Sequence, residues 1–342
     1  MLSVWKTEPK KGLEVKDTGI PKIAEDEVLI KVKATSICGT DRHIYNWDNW
    51  AQNRISKTIP YIFGHEVSGE IVELGKQVRG LEIGDHVSAE THISCGYCYQ
   101  CKTGNEHVCE NVKILGVDTQ GTFAEYLKLP YRNAWKNDKS IPHWVATAQE
   151  PLGNAVHTVF DGEVAGKNMV VLGDGPIGIC AVALCKIAGA ESITLIGHKD
   201  FRLKLGKEFG ADHIINSKNE DTQKRLKEIY EKGADAILEI SGSENALNDG
   251  IACLKAGGRI SVLGVFKENV RIDINKLVFG SIKLNGINGR KMFDTWYKTS
   301  SFLRTKKVQL EKLVTHKFKL KDIEKGFQEL DGEKAIKVVL EP

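Results

Sequence analysis

Cys95, Cys98, Cys101 and Cys109 lie in the stretch CGYCYQCKTGNEHVC with the spacing C-x2-C-x2-C-x7-C. Four thiolates in one tight loop can close a tetrahedral shell around zinc at about 2.3 Å each; four cysteines can also hold an iron–sulfur cluster. A shell of four sulfurs leaves no open position, so the metal it holds is structural rather than catalytic. A second set is scattered along the chain: Cys38 in CGTDRH, His65 in GHE and Glu150 in QEPLGNAVHTV. One thiolate, one imidazole and one carboxylate make a three-ligand zinc shell whose fourth position is free to activate a substrate. Ligands from separate loops leave no local signature, so these spacings do not by themselves establish that the three meet.

A third motif binds phosphate rather than metal. VVLGDGPIG gives Gly173, Gly175 and Gly178 as G-x-G-x-x-G after an apolar strand and before a helix-length apolar run. In that context the glycines let the backbone approach a pyrophosphate at the positive end of the helix. The next apolar run, SITLI, ends at Ile196, where an NAD site usually offers a carboxylate to the ribose 2′-hydroxyl. Here the sequence is GHKDFR. Gly197 has no side chain, and His198, Lys199 and Arg202 offer positive charge to a 2′-phosphate, which favours NADP(H). With Asp200 as a displaced ribose acid and Lys199 a solvated lysine, NAD(H) stays open.

The elements that must position these residues divide the chain. At 342 residues it suits two domains, and 41% hydrophobic with 27% charged residues is ordinary for a globular protein. Over residues 1–152, short β-type runs such as EVLIKVKAT, VSGEIVEL, HVSAE and AEYLKL are separated by glycine and aspartate turns, which reads as an irregular β-rich domain. Over 153–292, apolar strands (NMVVL, SITLIG, DHIIN, ADAILEIS, RISVLGV, IKLNGI) alternate with helical material such as DTQKRLKEIYEKG. That alternation predicts an α/β domain with a doubly wound parallel sheet. The tail, 293–342, carries two helical stretches and a strand-like run, AIKVVLE. Cys180, Cys185 and Cys253 sit in apolar contexts and read as buried filler.

The formal net charge of +3 is spread without a basic run, so no nucleic-acid partner is implied. No apolar run approaches the ~20 residues that span a bilayer. MLSVWKTEPKKG has no apolar core of a secretory signal, so a cytoplasmic location is expected, where clustered cysteines bind metal more often than they pair.

With these motifs assembled, the chain resembles the zinc-dependent medium-chain dehydrogenases nearly end to end. GHEVSGEIVELG and GDGPIG are shared across that family. CGTDRHIYNWDNWAQ, ETHISCGYCYQCKTGNEHVC, GVDTQGTFAEY, WKN, QEPLGNAVHTV and GINGRKMFDTWYK resemble its threonine-oxidising branch, HIYNWDNWAQ and ETHI most narrowly. The resemblance implies a GroES-like catalytic domain with a structural-zinc lobe at 95–109, a Rossmann domain, and a tail returning to the first domain. It implies that Cys38, His65 and Glu66 bind the catalytic zinc, with Glu150 a nearby carboxylate that exchanges with Glu66. Thr40 and His43 would form a proton relay. Ile177, position 197 and Arg202 would lie along the cofactor, and Leu263, Gly264, Val265, Ile287 and Asn288 along its nicotinamide. His92 and Arg290 are candidates for substrate binding; Trp47 and Trp50 either shape the site or pack. Members are usually homotetramers. They generally use NAD and carry an acid where Gly197 stands here.

The expected reaction is oxidation of the 3-hydroxyl of L-threonine to 2-amino-3-oxobutanoate with hydride transfer to NAD(P)+, needing one catalytic and one structural zinc per chain. The rival within the family is another secondary alcohol, a diol or a polyol of the butanediol or sorbitol type. A nucleotide-binding protein without catalysis is the rival of another class, and it has no need for Thr40 and His43 beside the scattered ligand set.

Overall fold

A computed structural model describes all residues, Met1 to Pro342. The chain separates into two compact units, one built from Met1–Glu150 with Lys291–Pro342, the other from Pro151–Arg290.

The first unit is organised around the strand Glu27–Ile37. Its main sheet runs Ala134–Lys136, His86–Ala89, Glu66–Leu74, Glu27–Ile37, Lys337–Glu341 and Val314–Lys319, with Tyr126–Pro130 also paired to Glu27–Ile37. The central strand is long enough to serve two cores. Val28, Ile30 and Val32 pack with Val67, Ile71, Val87, Leu127 and Leu129. Ile37, at the other end, packs with Ile44, Phe63, Phe123, Phe327 and Val338. In helix Ile323–Asp331 the buried residues Ile323, Gly326, Phe327 and Leu330 make one apolar stripe, and the Phe327 ring stacks on Tyr45 with centroids 4.3 Å apart.

The tail is a working part of this sheet. Strand Lys337–Glu341 lies antiparallel to Glu27–Ile37, with Val338 opposite Ile37. Beside it runs Val314–Lys319, a strand the sequence reading left out. Its residues VTHKFK alternate half-buried and exposed at the sheet edge, so the apolar signal is too thin to stand out.

The second unit alternates strands and helices without interruption from Asn168–Leu172 to Lys283–Gly286. Its six strands are all parallel, in the order His213–Asn216, Ser192–Gly197, Asn168–Leu172, Ala234–Glu239, Leu254–Val262, Lys283–Gly286. This is the third–second–first–fourth–fifth–sixth order of the doubly wound dinucleotide fold, in which ligands bind beyond the carboxyl ends of the strands. Helices on both faces explain why Met169–Leu172 and Ile193–Gly197 are buried throughout. Cys180, Cys185 and Cys253 are buried in helices of this unit. No helix of the chain is long and apolar enough to cross a membrane.

Candidate active site and metal centres

The four-cysteine loop folds as its spacing predicts. The Sγ atoms of Cys98 and Cys101 lie 3.4 Å apart, Cys98 and Cys109 3.7 Å, Cys95 and Cys109 3.5 Å, and Cys95 and Cys101 4.0 Å. The edge of a tetrahedron of sulfurs at 2.3 Å from zinc is about 3.8 Å, so the cage fits that ion. Backbone N–H groups of Cys95 and Asn111 each donate to the Cys109 sulfur at 3.3 Å. N–H donors, led by that of Tyr97, draw the Cys95 thiol down to about 6, whereas burial pushes Cys101 up to about 12.

The scattered set converges through strand pairing. Cys38 follows strand Glu27–Ile37 and caps helix Gly39–Asn46; its N–H donates to Asp41 Oδ2 at 2.8 Å. Glu66 opens the neighbouring antiparallel strand, where it lies opposite Ser36. Register therefore closes the gap in sequence between Cys38 and the His65–Glu66 pair. Gly64, at φ +89°, lets the chain turn into this strand; a Cβ there would lie 2.7 Å from the Phe123 ring. The ligand atoms of Cys38, His65 and Glu66 all lie within 4.8 Å of one another. His65 and Glu66 are buried and Cys38 half-buried, so the group opens on the thiol side.

Asp41 stands behind His65, its Oδ1 3.6 Å from Nδ1, beyond hydrogen-bond reach. Burial disfavours the imidazolium, but the charges of Asp41 and Cys38 outweigh it and hold the His65 pKa well above its ordinary value. Surroundings that attract a proton this strongly suit a metal cation, and a carboxylate behind a ligating histidine is a common orienting device. Glu66 is fully buried. Both of its oxygens face Lys337 Nζ, at 2.7 and 2.6 Å, and Ser36 Oγ donates to Oε2. Burial and neighbouring Glu150 raise the Glu66 pKa, against the pull of Lys337 and His65.

Glu150, in the first turn of helix Gln149–Val159, is buried and close enough to act on the charges of Glu66 and Lys337. It lies outside the group within 4.8 Å, so the triple the structure gathers is Cys38, His65 and Glu66, not Cys38, His65 and Glu150. Residue types alone could not choose between two carboxylates; the strand register does.

Thr40 and His43 share a face of helix Gly39–Asn46, three residues apart. The Nδ1 of His43 is bonded to Asp48, which also caps helix Asn49–Ile55 by accepting from Ala51 N at 3.2 Å. Burial raises the Asp48 pKa, but the bonds from His43 and Ala51 bring it below the ordinary carboxylate value. Trp47 is buried in the core, and the ring centroid of half-buried Trp50 lies 5.8 Å from that of His43. His92 is buried, its Nδ1 2.7 Å from Glu90 Oε1, while Glu90 Oε2 accepts from Trp296 Nε1 at 2.6 Å. Arg290, in the second unit, is buried and donates to Asn154 Oδ1 at 2.9 Å. Sequence reading missed Asp41, Asp48, Glu90 and Lys337, all of which act through another side chain. Only Asp48 had a local signal, as a helix cap in NWDNW.

The cofactor residues lie at the carboxyl ends of parallel strands. Gly173 and Gly175 follow Asn168–Leu172, and helix Pro176–Ile187, which holds Ile177 and Gly178, starts from Gly175. A Cβ on Gly178 would lie 1.8 Å from the Gly173 carbonyl, whereas nothing stands within 4 Å of one on Gly175, where a pyrophosphate would approach. Leu263, Gly264 and Val265 follow Leu254–Val262, and Ile287 and Asn288 follow Lys283–Gly286, with Ile287 N bonded to Val262 O at 2.8 Å. Gly197 ends Ser192–Gly197, His198 and Lys199 lead into helix Asp200–Glu208, and Arg202 lies in its first turn. Asp200 accepts from Asn216 Nδ2 at 2.6 Å. Burial, then the charges of Lys218 and Arg202, lower the Lys199 pKa, as expected where cations crowd.

Comparison with known proteins agrees with this architecture. Residues 24–141 match the alcohol dehydrogenase GroES-like domain, and residues 176–305 match the zinc-binding dehydrogenase domain. The chain belongs to the zinc-dependent medium-chain dehydrogenases. Within that family it is of the L-threonine 3-dehydrogenase type: it is 47% identical to the L-threonine 3-dehydrogenase of Pyrococcus horikoshii, covering 99% of this chain and 98% of that one. The enzyme of the same name from Bacillus subtilis is 45% identical, with 100% and 99% covered. Among solved structures, a Sinorhizobium meliloti protein described as a zinc-binding dehydrogenase bound to NADP superposes with a TM-score of 0.91 at 27% identity, covering 100% of this chain and 99% of that one. The 2R,3R-butanediol dehydrogenase of Bacillus subtilis gives a TM-score of 0.90 at 27% identity, with 100% and 99% covered.

Proposed function

We propose that the chain oxidises the 3-hydroxyl of L-threonine to 2-amino-3-oxobutanoate, transferring hydride to a nicotinamide cofactor. The observation that carries this is the convergence of Cys38, His65 and Glu66 within 4.8 Å, in a chain 47% identical to L-threonine 3-dehydrogenases. These three residues would hold the catalytic zinc, with Glu150 as the second carboxylate within reach. Bound zinc supplies a Lewis acid that lowers the pKa of the substrate hydroxyl, and the bound nicotinamide supplies the hydride acceptor. Thr40 takes the hydroxyl proton at its Oγ1 and passes it to His43, whose ring Asp48 holds by Nδ1. His92, fixed by Glu90, is assigned to the polar end of the substrate.

Cys95, Cys98, Cys101 and Cys109 would hold a structural zinc, giving two ions per chain. NADP(H) is the favoured cofactor: the bare position at Gly197 and the cluster of His198, Lys199, Arg202 and Lys218 support a site for a 2′-phosphate. Homotetrameric assembly, which rests on the family resemblance, and a cytoplasmic location complete the reading.

The test is a steady-state assay with L-threonine, 2,3-butanediol and sorbitol, each with NAD+ and NADP+, beside a zinc count. Threonine turnover that needs both its amino and carboxylate groups is the expected result. Faster turnover of a diol or polyol would replace the substrate, and a tenfold preference for NAD+ would reverse the cofactor.

A further inference from the structure

We propose that Asp174, between the first two glycines of the dinucleotide turn, determines cofactor choice by filling the space that a side chain at position 197 would occupy. The inference rests on the NADP reading above and names the residue that enforces it.

A Cβ built on Gly197 would lie 2.4 Å from both the Cβ and Oδ2 of Asp174 and 2.5 Å from its Cγ. These distances are far inside van der Waals contact, so either the neighbour must move or the position must be glycine. Asp174 is 3% exposed and firmly held. Its Oδ2 accepts from the backbone N–H groups of His198, at 2.8 Å, and Lys199, at 2.9 Å, while Oδ1 faces Arg202 Nη1 at 3.8 Å. The turn is itself tied to the strand by Gly173 N donating to Ile196 O at 2.8 Å. Moving Asp174 aside would break both bonds to His198 and Lys199 and bury an unmatched carboxylate.

Two consequences follow from one side chain. No acid can stand at the end of strand Ser192–Gly197, where a ribose diol would be gripped. The same carboxylate holds the N–H groups of His198 and Lys199 and faces Arg202 in the first turn of helix Asp200–Glu208, so three cationic residues stand around it. With two N–H donors already on Oδ2, Asp174 is a poor ribose acceptor, and an anion is the ligand that suits its cationic neighbours.

The steric claim has a readout independent of cofactor: thermal melts of the zinc-loaded protein without nucleotide. Gly197→Ala should lower the melting temperature by about 5 °C or more, the effect of forcing a methyl group into a packed site. Asp174→Gly should remove most of that penalty. Asp174→Ala should not, because the offending atom includes the Cβ itself. Equal penalties in all three backgrounds would overturn the proposal.

Calorimetric titration with NADP+ and NAD+ supplies the second readout. Gly197→Asp alone should weaken NADP+ by about tenfold or more, as for loss of a charged contact, without tightening NAD+. The Gly197→Asp/Asp174→Gly pair should bind NAD+ more tightly than the single variant does. A single Gly197→Asp variant that binds NAD+ more tightly than the unsubstituted protein does, or a folded double variant that gains nothing for NAD+, would overturn the role of Asp174. If the unsubstituted protein prefers NAD+, the NADP reading fails, and the melts still decide the contact.

Discussion

Lys337, in the last strand of the chain, places its ammonium 2.6 and 2.7 Å from the two oxygens of Glu66, and both side chains are buried. Lys337 also donates to Ile37 O at 3.3 Å, next to Cys38. The C-terminal tail thus supplies the counter-charge for a carboxylate at the candidate metal group. Burial alone would discharge Lys337, but Glu66 and Cys38 hold its pKa above the ordinary lysine value.

Replacing Lys337 by Met should destabilise the zinc-free protein by about 3–5 kcal/mol, the usual loss when one partner of a buried pair is removed. Zinc should restore part of this by giving Glu66 another cation. Urea unfolding with and without a chelator measures both effects. Because the Lys337 pKa is raised, its contribution is complete below the unfolded lysine pKa. It fades in alkali, as pH rises through the folded value.

Cys38→Ser and Cys98→Ser should separate the two metal groups. The first should abolish turnover, lower the melting temperature less than the second does, and lower the zinc count from two to one. The second should chiefly lower stability, because a structural zinc contributes folding energy directly. Full activity in Cys38→Ser would remove zinc from the chemistry.

Glu90 links His92 to Trp296 in the returning tail. Glu90→Ala removes the acceptor of the His92 backbone N–H, of His92 Nδ1 and of Trp296 Nε1, at about 1–3 kcal/mol for each buried donor left unmatched. It should therefore lower the urea midpoint and raise KM for threonine as His92 loses its orientation. Glu90→Gln, which keeps an acceptor, should lose less of both.

Asp48 has two duties, capping helix Asn49–Ile55 and holding His43. Asp48→Ala should cost about 1 kcal/mol for the cap and lower kcat about tenfold or more through the misaligned relay. Asp48→Asn keeps a cap acceptor, so stability should return more fully than kcat. Melts and steady-state kinetics on both variants provide the comparison.

Acid stability should depend on His86. Burial and the neighbouring His143 lower its pKa to about 4, against a pull from Glu70 and Asp138. Its Nε2 lies 2.6 Å from Ser68 Oγ, which also contacts His143 Nδ1 at 2.8 Å, and Lys33 bridges to Glu70 close by. A lowered histidine pKa means the unfolded chain protonates first. The neutral ring therefore stabilises the fold above the ordinary histidine pKa, and this is lost as pH falls from about 6.5 toward 4. Urea midpoints against pH should fall less steeply over that window in His86→Asn than in the unsubstituted protein.

Motifs whose residues lie close together along the chain were legible before folding. Cys95, Cys98 and Cys101, and the glycine turn, place their own atoms because a tight loop leaves few geometries for residues two or three apart, and Cys109 returns to them from eight residues further on. The alternating apolar strands of residues 168–286 revealed the doubly wound sheet, since strands buried on both faces must be apolar throughout. The strand Val314–Lys319 was not legible, because an edge strand buries only half its side chains.

By itself, then, the sequence determined the four-cysteine cluster, the dinucleotide turn and the order of α/β units, all consequences of short-range spacing and apolar periodicity. Only the tertiary structure showed Glu66 within 4.8 Å of Cys38 and His65, put Lys337 and Asp41 behind that group, and set Asp174 against Gly197. Those choices depend on strand register and on side chains from distant segments competing for the same few ångströms, and a linear pattern carries neither.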